Sequence, residues 1–168
     1  MALNGIDVRC SVIVFRKGAV LLARRAHDSI AVWTLPGGTP REGESMAACA
    51  RRELFEETGV FADPSRVAFV LEAMAPGGSR RRLDIVFLAT GLEAGAEPRT
   101  LEPGVEPHFI PVDQLSELML LPPLAGHLRG LLHQGASRYG PLPGQSVAAR
   151  GQLLEPGPSP ARRVPLNR

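Results

Sequence analysis

The stretch RRELFEETGV, residues 51–60, constrains the fold of this chain more than any other segment. On a helix, Glu53, Glu56 and Glu57 share one face, because residues three and four apart are neighbours on a helix surface. Gly59 would then follow the helix end, where glycine takes the left-handed conformation most readily. Carboxylates are unfavourable near a helix C-terminus, and like charges at these spacings repel by roughly 0.2–0.5 kcal/mol per pair. Two electrostatic effects therefore oppose this arrangement.

The helix alone allows two explanations of the acidic cluster. A solvated acidic face is the ordinary explanation of a run of charges. A bound divalent cation is the alternative, because it would turn both penalties into attraction. Magnesium and manganese prefer oxygen ligands and commonly bind carboxylates together with substrate phosphates. The apolar stripe of Ala47, Ala50 and Leu54 beside the glutamates, and the LPGG loop shortly before them, favour the cation.

Apolar periodicity and turn residues predict an α+β protein around this helix. Ser45 is suited to cap a helix that ends at Thr58. A hairpin is predicted from VRCSVIVF (8–15) and KGAVLLARR (17–25). Further strands are predicted in VWTLPGG (32–38), RVAFVLEAMA (66–75), RRLDIVFLATGL (81–92) and EPHFIPVDQL (106–115), the last leading into a short helical turn. A final helix is predicted in PPLAGHLRGLLHQ (122–134).

The composition changes at Gly135, where a tail of 34 residues with six prolines and five glycines begins. Such a composition favours a linker, an arm or a disordered segment over a packed core. We therefore predict one domain at residues 1–134 and a Pro/Gly-rich C-terminal tail at residues 135–168, peripheral to the chemistry.

Charge and hydropathy exclude several classes of partner. The formal net charge of +2 is too small to indicate nucleic-acid binding. No apolar run approaches the roughly 20 residues that span a bilayer, and the N-terminal MALNGIDVRC lacks the pattern of a signal peptide. Cys10 and Cys49 have no metal-ligand spacing and are expected to be reduced thiols. These features predict a cytoplasmic protein with no membrane and no nucleic-acid partner.

A longer pattern runs from Gly38 to Val60: a glycine, five residues, Glu44, seven residues, and then RELFEETGV. At every defined position it resembles the signature of the Nudix hydrolases, which is Gly, five of any, Glu, seven of any, Arg-Glu, an aliphatic, any, Glu-Glu, any, Gly, an aliphatic. The segments VWTLPGG, LLARR and FIPVDQL are also similar to the family, so the resemblance covers about residues 7–134. It implies the Nudix fold, a mixed β-sheet sandwiched between α-helices (α/β/α).

The resemblance implies roles for individual residues. Glu53, Glu56 and Glu57 fall on metal-ligand and catalytic positions, and Arg52 falls on the arginine that orients them. The backbone carbonyl of Gly37 falls on a position that often supplies another metal ligand. The implied cofactor is Mg²⁺, for which Mn²⁺ can substitute.

The chemistry implied by the resemblance is attack of water on a phosphorus of a diphosphate linkage, assisted by magnesium. The proton is accepted by a signature glutamate or by a carboxylate of a later loop. The candidates in that loop are Glu102 and Glu106, and Glu106 is favoured by its distance from the following aromatic residue. Arg25 falls where relatives often contact substrate phosphate, and Arg82, in a basic run, is a second substrate-binding candidate.

The sequence leaves the substrate open. The leading hypothesis is a Mg-dependent pyrophosphohydrolase for a nucleoside diphosphate linked to another moiety, with ADP-ribose-like compounds and (d)NTPs as competing groups. Pro76 within APGGS (75–79) resembles ADP-ribose-cleaving relatives, whereas LPGG (35–38) differs from their LPAG. The alternative is a non-catalytic nucleotide-sensing domain, although such domains usually have a damaged signature. Either hypothesis implies a small-molecule nucleotide as the partner, and a homodimer is left open.

Overall fold

The computed structural model describes residues 5–27, 30–74, 80–133 and 146–148. Helices α1 (Met46–Thr58) and α2 (Ala125–His133) and the 3₁₀ helix Gln114–Glu117 accompany the strands in these residues. The strands are β1 (Ile6–Ile13), β2 (Phe15–Arg16), β3 (Ala19–His27), β4 (Ile30–Thr34), β5 (Gly37–Gly38), β6 (Asp63–Met74), β7 (Arg81–Thr90), β8 (Val105–Pro111) and β9 (Ser146–Ala148).

The strands form two sheets. The first has the order β5-β1-β7-β6-β9 and is mixed, since β1 runs parallel to β7 while β5 and β6 run antiparallel to their neighbours β1 and β7. The second is antiparallel, with β3 paired to β2, β4 and β8. In this arrangement helix α1 lies mainly against β1 and β5 of the first sheet, with a further contact to β8 of the second.

Local sequence explains why α1 begins and ends where it does. The side chain of Ser45 accepts a hydrogen bond from the N–H of Ala48 at 3.2 Å, which satisfies one of the free donors of the first turn. Gly59 has a φ of 67° and donates its N–H to the carbonyl of Phe55 at 2.8 Å, as a glycine does just past a helix end. The predicted bounds of this helix are confirmed to within one residue.

Two apolar cores place the helices on opposite sides of the sheets. One core joins α1 to buried residues of β1 and β3, and the other joins α2 to the facing surfaces of both sheets. The expected α+β architecture, with mixed sheet between helices, is confirmed. In the part of the chain described, no helix has the length and apolar character needed to cross a bilayer.

The predicted hairpin of residues 8–25 is wrong in its first strand. Only Phe15 and Arg16 pair with β3, across the turn at Lys17 and Gly18, whereas β1 pairs with β5 and β7 in the other sheet. A strand in either sheet would be equally apolar, so the local sequence pattern could not show which strands β1 pairs with. The APGGS segment (75–79) lies outside the described residues. Within the predicted tail, β9 pairs with Val70–Glu72 of β6.

Candidate active site

The packing of α1 determines which signature glutamate is buried. Cys49, Ala50 and Leu54 form its buried face against β1 and β3. Burial of one leucine is worth about 1.5–3 kcal/mol, so this face holds the helix firmly on the sheets. Glu57, three residues after Leu54, continues the same face and is only 2% exposed, whereas the Glu56 side chain is 43% exposed. The packing of α1 thus buries Glu57 almost completely, while the Glu53 side chain stays 15% exposed.

Arg52 holds three other carboxylates together, those of Glu44, Glu53 and Glu56. Its Nε and Nη2 donate to the two carboxylate oxygens of Glu44 at 2.7 and 2.8 Å. Its Nη1 donates to Glu53 at 2.6 Å and to Glu56 at 3.1 Å. The hydrogen bond from Arg52, helped by the N–H of Arg41, lowers the pKa of Glu44 to about 2. One guanidinium therefore fixes three carboxylates through charge-assisted hydrogen bonds.

Glu57 is held differently from its neighbours. Its Oε1 accepts a hydrogen bond from Arg25 Nη2, and its buried Oε2 has no hydrogen-bond partner among the described residues. Desolvation raises the pKa of Glu57 to about 7, although the charge of Arg25 opposes the shift. Glu102 lies beside the same arginine, with Oε1 3.7 Å from Arg25 Nη1. Arg25 therefore lies between the buried carboxylate of Glu57 and the half-exposed carboxylate of Glu102.

Strand β5 lies between α1 and β1 and has no room for side chains. A Cβ at Gly38 would lie 2.3 Å from Cδ of Glu53, and a Cβ at Gly37 would lie 2.8 Å from Oγ of Ser11 and 2.4 Å from the carbonyl oxygen of Cys10. At Gly37 the close atoms include backbone of Cys10 and Ser11, so only glycine fits there, whereas a side chain at Gly38 would displace the carboxylate of Glu53. The peptide between Gly37 and Gly38 consequently lies directly beside the carboxylate of Glu53.

The structure separates the two late-loop carboxylates. Successive residues of a strand point to opposite faces of a sheet. Arg25 reaches Glu57 on the face of β3 toward α1, so Arg24 and its partner lie on the other face. That partner is Glu106, whose Oε2 is 2.7 Å from Arg24 Nη1. Glu106, favoured from the sequence, is therefore placed away from the signature glutamates, and Glu102 is placed near them.

Arg82 does not join the carboxylate cluster. It lies on β7 opposite Asp7, four residues along β1 from Ser11. At about 3.3 Å per residue, this places it roughly 13 Å along the strand from the partner of Gly37. Partial burial lowers its pKa. Any contact of Arg82 would be with a part of a ligand remote from the glutamates.

The donor set fits a hard divalent cation. Within residues 5–27, 30–74, 80–133 and 146–148, no three His, Cys, Asp or Glu side chains lie close enough together to form a metal site. The signature glutamates form ion pairs with arginines instead. The buried Oε2 of Glu57, which has no partner among the described residues, is nevertheless an acceptor that a cation would satisfy. Carboxylate and backbone carbonyl oxygens are the ligands that Mg²⁺ and Mn²⁺ prefer.

Sequence reasoning missed three polar residues near β5. Ser11 and Asp84 are buried and hydrogen-bonded to each other, and Arg9 contacts both. The signal for Asp84 is visible in retrospect, since it is a lone carboxylate within the apolar run LDIVFLA. Its partner Ser11 on β1 is 73 residues away in the sequence, and a local sequence pattern does not identify so distant a partner.

The fold and the site define an α/β/α domain with a carboxylate-bearing helix packed against a glycine strand. Residues 6–134 match the model of the NUDIX domain, and the chain belongs to this family. It is 33% identical over 117 residues to "Putative ADP-ribose pyrophosphatase YjhB" of Bacillus subtilis, covering 67% of this chain and 52% of that protein. It is 39% identical over 62 residues to an RNA pyrophosphohydrolase of Cereibacter sphaeroides, covering 37% of each.

Solved structures share the fold of this chain. A MutT NUDIX hydrolase from Burkholderia pseudomallei superimposes with a TM-score of 0.57 at 25% identity, covering 65% of this chain and 85% of that one. A NUDIX hydrolase from Nitrosomonas europaea gives a TM-score of 0.67 at 19% identity, covering 78% and 90%. The chain spans about half the length of YjhB and about a third of the RNA pyrophosphohydrolase.

Proposed function

We propose that this protein is a Mg²⁺-dependent pyrophosphohydrolase that cleaves the phosphoanhydride linkage of a nucleoside diphosphate joined to another moiety. The observation that carries the proposal is the buried carboxylate of Glu57, whose Oε2 has no partner among the described residues. A buried carboxylate in this setting gains strongly from a cation, and α1 brings Glu53 and Glu56 with it. The names of the two curated relatives, a pyrophosphatase and a pyrophosphohydrolase, support the same reaction class.

In this proposal the glutamates of the cluster bind the cation and the arginine orients them. Glu53, Glu56 and Glu57 would hold Mg²⁺ together with the backbone carbonyl of Gly37, and Mn²⁺ would substitute. The cation would neutralise phosphate oxygens and make a bound water more acidic. Arg52 orients Glu53 and Glu56 through the hydrogen bonds described above.

The two substrate-binding arginines act at different distances from the cluster. Arg25 is placed beside Glu57, where its planar guanidinium can bind a phosphate oxygen. Arg82 contacts the remote part of the substrate. The modest net charge of +2 supports a small-molecule nucleotide rather than a nucleic acid as the substrate.

Glu102 is the carboxylate that we propose as proton acceptor. Its side chain is 46% exposed, and its Oε1 lies 3.7 Å from Nη1 of Arg25, which in turn binds Glu57. Glu106 is half-exposed and paired with Arg24 on the opposite face of β3. The geometry therefore supports the candidate that the sequence favoured less.

Exchange of these two residues for glutamine distinguishes the candidates. Glu102→Gln is expected to lower kcat by about a hundredfold or more, the usual contribution of a positioned general base. Glu106→Gln makes the same chemical change in an exposed ion pair, and such pairs contribute little, so kcat should stay within about twofold. Steady-state kinetics at saturating magnesium measures both. A larger loss in Glu106→Gln than in Glu102→Gln would reverse the assignment.

The substrate group is tested with a panel of nucleotides. ADP-ribose-like compounds and (d)NTPs both contain the diphosphate that the glutamates would act on. We expect one group to be hydrolysed in the presence of Mg²⁺, with products identified by phosphorus NMR: a nucleoside monophosphate plus a sugar phosphate for the first group, or plus pyrophosphate for the second. Tight nucleotide binding without any product would instead support the nucleotide-sensing alternative.

We also propose that residues 1–134 form the catalytic domain and that residues 135–168 are peripheral. The match to the family ends at residue 134, and the described part of the tail, β9, pairs with the edge of β6 rather than with α1. Deletion of residues 140–168 should therefore leave kcat within about twofold, because it removes an edge strand of the first sheet and leaves α1 with its glutamates in place.

Kinetics together with size-exclusion chromatography checks the truncation. A truncated protein with the same oligomeric state but a much lower kcat would contradict the peripheral role. Dissociation of an oligomer on truncation would identify the tail as an assembly arm instead.

A further inference from the structure

A polar trio, made of the buried Ser11 and Asp84 and the partly buried Arg9, lies within the first sheet, apart from the signature helix. Ser11 is 0% exposed and Asp84 is 7% exposed. The hydroxyl of Ser11 donates to the carboxylate of Asp84, with Oγ 2.7 Å from Oδ1 and 2.8 Å from Oδ2. Arg9 donates from Nε to Ser11 Oγ at 3.1 Å, and the same Nε is 3.6 Å from Asp84 Oδ2. Arg9 also donates from Nη2 to the carbonyl of Leu35 at 3.1 Å.

The trio contacts the chain that leads into β5. Ser11 lies opposite Gly37 in the pairing of β1 with β5, and its Oγ is 2.8 Å from where a Cβ of Gly37 would be. On the other side of β5, the carboxylate of Glu53 lies against Gly38. The Gly37–Gly38 strand is thus enclosed between the polar trio and the signature glutamates.

The pairing register determines where the carbonyl of Gly37 points. Val12 donates its N–H to the carbonyl of Pro36 at 2.9 Å, so these two residues form a hydrogen-bonded pair. In an antiparallel ladder the next pair, Ser11 and Gly37, is then a non-hydrogen-bonded one. The carbonyl of Gly37 is therefore directed away from β1, toward the free side of β5. This carbonyl oxygen is available to a ligand, but no hydrogen bond to β1 holds it in place.

Burying the carboxylate of Asp84 costs free energy of folding, so its presence here calls for a reason other than stability. Burial opposes ionisation and raises the pKa of Asp84, with Arg9 acting in the opposite direction. Apolar residues of similar volume are often at least as stabilising as a buried charged network. Such a network does, however, define one arrangement of the groups that it bonds. Here those groups are the hydroxyl of Ser11, the residue paired with Gly37, and the carbonyl of Leu35, two residues before Gly37.

We propose that Ser11, held by Asp84 and Arg9, is a positioning residue that fixes the carbonyl of Gly37 for the divalent cation. Ser11 limits the movement of the Gly37 peptide on one side of β5, while Arg9 holds the chain at Leu35. This inference rests on the proposed function, in which the Gly37 carbonyl is a ligand.

Three single variants test the positioning role in the full chain, with Mn²⁺ as the probe. Ser11→Ala removes the hydroxyl, and Asp84→Asn removes the charge that faces Arg9. Asp7→Asn is the matched control, because it makes the same change on β1 in an exposed ion pair, Asp7–Arg80 at 2.8 Å. The dissociation constant for Mn²⁺ is measured by electron paramagnetic resonance without substrate, and the melting temperature is measured alongside.

We expect Ser11→Ala to weaken Mn²⁺ binding by about tenfold or more, the usual effect of removing a group that orients a ligand. Asp84→Asn should weaken it in the same direction, and Asp7→Asn should leave it unchanged. In protein labelled with carbonyl carbon-13 glycine, the hyperfine coupling of bound Mn²⁺ to a glycine carbonyl should be present in the wild type and reduced in Ser11→Ala. A purely structural role would lower the melting temperature without changing that coupling.

Two outcomes separate failure of this inference from failure of the proposed function. If wild-type binding of Mn²⁺ is lost in Glu57→Gln but Ser11→Ala binds Mn²⁺ as tightly as the wild type, with the same glycine coupling, the positioning role is wrong. If the wild type binds no Mn²⁺, or Glu57→Gln binds it equally well, the metal site itself is wrong.

Discussion

Glu57→Gln is expected to lower turnover by a factor on the order of a hundred to a thousand while the protein remains folded. The metal ion of such a site supplies several kcal/mol of transition-state stabilisation, and about 1.4 kcal/mol corresponds to tenfold in rate. Glutamine keeps the size of the side chain but not the charge that binds the cation. Glu56→Gln should act in the same direction. The measurement is kcat at saturating Mg²⁺, with Glu117→Gln, an exposed residue of the 3₁₀ helix, as the matched control.

The stability of Glu57→Gln separates loss of metal from loss of fold. In the folded protein the pKa of Glu57 is raised to about 7 from its usual value of 4.5. Ionisation of this carboxyl therefore destabilises the metal-free protein progressively as pH rises from about 4.5 to 7, and the effect is constant above that range. In chelator, the variant should be at least as stable as the wild type, with the difference growing across this interval. A variant that is inactive and also much less stable at pH 8 would contradict the metal explanation.

Replacement of magnesium by calcium is expected to reduce turnover by about a hundredfold while the cation still binds. The donors are oxygen atoms only, so hard cations should bind competitively. Mg²⁺ requires octahedral ligands at about 2.0–2.1 Å, whereas Ca²⁺ takes longer and more variable contacts. Water and phosphorus must be aligned for attack, and a displacement of about 1 Å can cost roughly a hundredfold in rate.

Competition kinetics measures the calcium effect. Ca²⁺ added to the Mg²⁺-loaded enzyme should inhibit, and excess Mg²⁺ or Mn²⁺ should restore turnover. Equal rates with calcium and magnesium would contradict the geometric argument, and full activity in excess chelator would remove the metal from the mechanism.

The signature helix could be predicted from the sequence because its determinants are local. Ser45 and Gly59 set its ends, and Leu54 with Ala50 sets its buried face, so its bounds follow from residues within one helix. The family resemblance then predicted the rest of the fold, because the spacing of the signature residues from Gly38 to Val60 is specific to the family.

Features that depend on long-range pairing could not be predicted in the same way. The choice between Glu102 and Glu106 depends on which face of β3 each one meets, and the register of β8 with β3 sets this. The same reason explains the misassigned partner of β1, since its pairing with β7 joins residues 75 positions apart. The contact of Ser11 with Asp84 depends on that pairing as well.

Hydrolysis in oxygen-18-labelled water tests the central claim most directly, namely that water attacks phosphorus at a cation held by the glutamates of α1. We expect one labelled oxygen in a phosphate group of one product, none in a sugar hydroxyl, and no labelled product in chelator. With Glu57→Gln, labelled product should form about a hundredfold or more slowly. Label in a sugar hydroxyl, or unchanged labelling of phosphate by the Glu57→Gln variant, would contradict it.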